Sequence, residues 1–107
     1  MNRFALLFAS LLCITAGTSQ AAMDSGQEVY QKWCMPCHDR GDKYPGTIAL
    51  AARYKGSVPA ALVDRTDLTP AFIEHFVRHG ISVMPFFRKT EITDVEMEML
   101  SDYLTHR

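Results

Sequence analysis

The sequence predicts an all-α domain, and three observations carry that expectation. Apolar residues recur at helical spacing in three segments, and a capping residue opens each of them. Nowhere do the 107 residues alternate apolar and polar side chains as a half-buried strand would. With 48% hydrophobic and 21% charged residues the chain has the balance of one compact domain, which excludes a multidomain enzyme. Twelve acidic residues against eleven basic ones leave no electrostatic surplus for nucleic acid or anionic lipid.

Residues 1–21 read as a secretory signal peptide. Arg3 and the free amine supply the positive start, and Phe4 to Ala16 run almost wholly apolar. Ser19 and Ala21 place the cut after Ala21, with Ala22 as the neighbouring alternative. An apolar run of about 13 residues is short of the ~20 that span a bilayer, so no stable membrane insertion is expected. Cys13 is discarded with this segment, which leaves Cys34 and Cys37 in a mature domain of residues 22–107. Loss of Arg3 leaves ten basic residues against twelve acidic ones, a net charge of −2.

The first helix opens at Ser25, with Glu28 completing a capping box. Gly26, Val29, Tyr30 and Trp33 then fall within one arc about 100° wide. That helix hands over directly to Cys34-Met35-Pro36-Cys37-His38. C-x-x-C-H is the attachment signature of a c-type haem. Two thiols two residues apart can add to the two vinyl groups on one porphyrin edge, and the next residue, His38, is then held beneath the iron. A redox C-x-x-C pair normally sits in a βαβ context, which is absent here. Half a zinc site wants further cysteines or histidines at knuckle spacing, and a plain disulfide has no use for His38.

Asp39 to Ser57 carries Gly41, Pro45, Gly46 and Gly56 with little periodicity, so an irregular loop is expected, with at most a short helix around Ile48 to Arg53. A helical turn from Pro59 to Val63 follows. Thr69-Pro70 supplies the N-cap and first position of a helix ending at Gly80, whose buried arc is Phe72, Ile73, Phe76 and Val77. Thr93 and Glu96 open the last helix, Asp94 to about Thr105. Its apolar residues Val95, Met99, Leu100, Tyr103 and Leu104 spread over about 180°, which implies contacts on two sides, with the first helix and with the haem.

A second axial donor must come from a distant stretch of chain. Met84 is the best placed, in a loop after a helix and stiffened by Pro85, 46 residues beyond His38. The rival donors are His75 and His79; His75 lies outside the buried arc and His79 at its edge, at the helix end. The loop from Ile81 to Arg88 shows few other anchors in the sequence.

From about residue 24 to 105 the chain resembles the class I c-type cytochromes, through Cys34-x-x-Cys37-His38 and the Met84-Pro85 loop. The resemblance implies a small fold of helices wrapped around one covalently bound haem, so that 22–107 is a cytochrome c domain. It also implies a crossing of first and last helices at Gly26, Tyr30 and Tyr103. A proline carbonyl accepting the proximal imidazole N–H is a further implication, for which Pro45 is the candidate. Gly80-x-x-x-Met84-Pro85-x-Phe87 is similar to the cytochrome subunits of dehydrogenases of the p-cresol methylhydroxylase type. The tyrosine- and basic-rich segment Ala51 to Asp67 departs from that pattern by its length.

The function implied is that of a periplasmic one-electron carrier or electron-accepting subunit, not an enzyme. Its haem c is attached through Cys34 and Cys37 and ligated by His38 and Met84. A flavin or quinone dehydrogenase is the expected donor, and a downstream cytochrome or oxidase the acceptor. The alternative is a haem enzyme or ligand-binding sensor, which requires that Met84 be displaceable.

Overall fold

A computed structural model of the protein describes residues 22–106, and among these described residues there are five helices and one 3₁₀ turn. The signal peptide expected at 1–21 lies outside the described residues. Helix α1 spans Gly26–Trp33, α2 Met35–His38, α3 Pro45–Tyr54, α4 Pro70–His79 and α5 Asp94–Thr105, with the 3₁₀ turn at Leu62–Asp64. Among the described residues there is no strand, only one β-bridge between Ile81 and Met84. The all-α expectation holds.

The caps behave as the sequence suggests, with one shift. Ser25 Oγ accepts the Glu28 N–H at 3.2 Å, but the Glu28 carboxylate reaches past Ser25 to the Asp24 N–H at 2.8 Å. Thr69 Oγ1 accepts from Phe72 N at 3.2 Å, with Pro70 opening α4. Thr93 and Glu96 form a complete capping box at the start of α5.

Val29, Tyr30, Leu68, Ile73, Val77, Ile92, Met97, Leu100 and Leu104 form one buried cluster. Helix α5 is its centre, packed most extensively on α1 and also on α4. The contact expected between α5 and α1 is made, and the second helix packed on α5 is α4, a neighbour the sequence did not suggest. Its buried stripe runs Met97, Leu100, Ser101 and Leu104, while Val95 stays exposed. The crossing of α1 and α5 is close: a Cβ on Gly26 would strike the Met99 backbone oxygen and come within 2.7 Å of Tyr103 Cβ. Beside it the Tyr30 and Tyr103 rings meet at 5.7 Å.

Helix α3 is longer than the sequence suggested. Pro45-Gly46 reads as loop punctuation, yet proline is well suited to a first helical position and Tyr44 supplies the N-cap backbone. The helix ends at Lys55, whose φ of 50° is left-handed and whose N–H returns to Ala51 O at 2.9 Å. The long segment beyond it is tied down by Arg65. This guanidinium is buried, holds Asp67 through bonds of 2.9 and 2.6 Å, and lies 4.9 Å from the Tyr54 ring.

Glu96 is buried at the α1 end of α5, where its carboxylate accepts from Thr93 N at 2.8 Å and Met23 N at 3.4 Å. These bonds, the one from Thr93 foremost, hold its pKa below the usual value. A depressed folded pKa gives stability above the unfolded value that is lost as pH falls through the folded one. Glu96→Ala is expected to cost about 1 kcal/mol at neutral pH. In urea titrations the gap to wild type should shrink below the ordinary glutamate range of about 4.3; a gap that stays constant down to acid pH would refute this role.

Candidate functional site

Cys34, Cys37 and His38 share one turn of chain. Cys34 N donates to Tyr30 O at 2.9 Å, ending α1, and the Cys34 carbonyl then accepts from both Cys37 N and His38 N, at 3.1 and 3.0 Å. Two neighbours hold the turn in place. The Tyr30 hydroxyl donates to His38 O at 3.1 Å, and Thr47 Oγ1 of α3 donates to Asp39 O at 2.7 Å. Tyr30 belongs to the core, so the turn is fastened to the most buried part of α1.

Both cysteines are free thiols. Cys34 packs against the core, and burial, reinforced by the nearby Cys37, pushes its thiol up to about 12. Cys37 is exposed. Burial lowers the His38 pKa, which favours the neutral imidazole, the form that binds a metal.

The imidazole lies against the start of α3. A Cβ on Gly46 would come within 2.6 Å of His38 Cε1 and 2.7 Å of both His38 Nδ1 and Cys37 O. Glycine is therefore required there by close approach. The bond expected from His38 Nδ1 to the Pro45 carbonyl is not made: Nδ1 is buried without a partner. Pro45 is the first residue of α3, where the carbonyl turns into the helix ladder.

Met84 sits in the loop between α4 and α5. Gly80, at φ 68° and ψ 176°, turns the chain out of α4, and its missing side chain admits the backbone of Pro85 and Phe86 within 3 Å. Ile81 and Met84 exchange backbone bonds of 3.2 and 2.9 Å around Ser82, itself at φ 54°. Phe87 N donates to Val77 O at 2.7 Å, and the Arg78 guanidinium donates to Phe87 O. The loop is thus better anchored than the sequence suggested.

Trp33 and Phe87 meet edge to face at 5.5 Å, which joins the residue before Cys34 to the third residue after Met84. The two rival donors are turned to each other. His75 and His79 are exposed and stacked at 4.6 Å, and His79 Nδ1 lies 2.7 Å from His75 O.

Two unpaired thiols and an imidazole that burial keeps in its neutral, metal-binding form, all on one turn, fit a covalently held haem. Ile48, Phe72, Ile81, Val83 and Phe86 are also exposed, by 41% to 92%.

An all-α chain with this turn and this loop is a class I c-type cytochrome, an electron-carrying haem protein whose cofactor is haem c. The chain belongs to the family described as cytochrome c oxidase, cbb3-type, subunit III, whose model matches residues 21–104. A chain in the crystal structure of p-cresol methylhydroxylase with substrate bound is similar to it at 28% identity and a TM-score of 0.55, over 77% of this chain and 90% of that one. A mutant of OmcF matches at 19% identity and a TM-score of 0.51, over 79% of this chain and 96% of that one, which shows the fold alone. Among curated proteins none matches.

Proposed function

We propose that the protein is an exported monohaem carrier that accepts electrons one at a time from a dehydrogenase and passes them to a downstream cytochrome or oxidase. The observation that carries this reading is the Cys34 to His38 turn, where two free thiols and an imidazole kept neutral by burial are fastened to the core. Cys34 and Cys37 would hold the haem through thioethers, and His38 and Met84 would supply its iron with a nitrogen and a sulfur donor. The bound haem supplies a one-electron ferric–ferrous couple. His38 is kept neutral by burial and seated against Gly46; Met84 would be the second donor, occupying the position that oxygen or peroxide would need. A thioether ligand favours the ferrous state relative to a second histidine and raises the potential.

Residues 1–21 direct export to the periplasm and are then removed. Among the described residues no helix is long and apolar enough to cross a membrane. The likeness to a chain of p-cresol methylhydroxylase supports a flavin or quinone dehydrogenase as electron donor.

Export alongside haem-ligation machinery should yield red protein that keeps its haem through denaturing electrophoresis, whereas cytoplasmic expression without residues 1–21 should yield colourless chain. Cys34→Ala and Cys37→Ala should each lower the yield of stained protein severalfold. Complete loss of haem from the exported wild-type chain under denaturation would overturn covalent attachment.

A further inference from the structure

We infer that Arg78 is the positioning residue that keeps Met84 at the haem, acting through the neck of the loop that carries it; this rests on Met84 as the axial ligand. Residues 80–86 leave α4 and return at Phe87. The neck is closed there twice: Phe87 N donates to Val77 O at 2.7 Å, and Arg78 Nη1 donates to Phe87 O at 3.2 Å. The same Nη1 donates to Ile92 O at 2.7 Å, and Nη2 to Asp94 Oδ1 at 3.2 Å. One guanidinium therefore joins the last turn of α4, the closing residue of the loop and the start of α5.

Ile92 is fully buried and the Arg78 side chain only 13% exposed, so the bonds to the Phe87 and Ile92 carbonyls form away from bulk water, where they are strong, whereas the one to Asp94 lies at the surface and adds less. The guanidinium stays although its Nε is buried without a partner, so its three bonds outweigh that loss. Contacts inside the loop have a different effect. The Ile81–Met84 bridge shapes the tip but ties it to nothing outside the loop. Attachment to the body comes at Phe87, through Val77, Arg78 and the edge of Trp33.

Removing Arg78 leaves the tip intact and makes the neck easier to open. An added ligand binds only when Met84 has left the iron, so its apparent affinity reports the open population. The test is an imidazole titration of ferric holoprotein, followed by loss of the sulfur-to-iron charge-transfer band, with the urea midpoint measured in parallel. Arg78→Gln should bind imidazole about tenfold or more tightly than wild type, as expected for loss of a charged hydrogen bond. Arg78→Lys, which keeps the charge and a donor for one carbonyl, should fall between, and it carries the test if the glutamine variant does not accumulate.

Arg88→Gln removes a surface arginine bonded to Glu91 and should leave the affinity unchanged. A lowered urea midpoint with wild-type imidazole affinity would show that Arg78 only supports the fold, and would overturn the inference alone. A wild-type protein lacking the charge-transfer band would overturn the ligand assignment, and this inference with it.

Discussion

Gly26→Ala is expected to destabilise the holoprotein by about 3 kcal/mol, the upper end of what overpacking a close contact costs. Two effects oppose each other at this position. Alanine is a better helix former than glycine by up to about 1 kcal/mol, so propensity alone predicts a gain. The new methyl group, however, would collide with the Met99 backbone oxygen, stand 2.6 Å from the Met99 carbonyl carbon and press on Tyr103 Cβ at 2.7 Å. Backbone cannot rotate away as a side-chain tip can. Relief requires α1 and α5 to separate, which loosens Val29 and Leu100, both fully buried, and the Tyr30–Tyr103 contact. The clash therefore wins. Gly26→Val, with two further carbons, should fail to accumulate as folded protein. Urea midpoints decide the matter, and a Gly26→Ala protein as stable as wild type would show that the helices are not held so closely.

That crossing was legible because it is made of local signals and one family resemblance: a capped helix, an apolar arc, and a glycine facing aromatic residues. The start of α4 at Thr69-Pro70 and that of α5 at Thr93 were legible for the same reason, since caps act within three residues of chain. The Cys34 to His38 turn belongs with them, because its chemistry is written in consecutive residues.

What escaped the sequence depends on partners far along the chain. Pro45-Gly46 looks like a break, and only the His38 ring against Gly46 shows why a glycine belongs inside a helix there. Arg65 looks like one more charge in a basic segment until its guanidinium is seen buried beside Tyr54 and paired with Asp67. Arg78 carries no periodic signal at all, since its partners are carbonyls 9 and 14 residues away. On α5 the apolar residues spread widely enough to fit more than one face, and packing on α1 and α4 selected Met97 over Val95. The expected Pro45 bond failed for a backbone reason: a proline that starts a helix lends its carbonyl to that helix.

Met84→Ala is expected to open the iron to added cyanide or imidazole and to abolish the sulfur-to-iron charge-transfer band. Met84→His should keep a six-coordinate iron at a lower potential, because imidazole favours the ferric state more than a thioether does. The fold should survive both changes. The loop is held by Gly80, by the Ile81–Met84 bridge, by Phe87 on Val77 and by Arg78, and none of these uses the Met84 side chain. A change in ligand binding with an intact fold therefore separates ligation from packing. The rival donor makes the opposite forecast. To reach the iron His79 would give up its contact with His75 O at 2.7 Å and its stacking on the His75 ring, and leave an exposed position at the end of α4. His79→Ala should accordingly leave both spectrum and potential unchanged. If Met84→Ala altered neither while His79→Ala altered both, the axial ligand would be His79, and the loop that ends at Phe87 would have some other purpose.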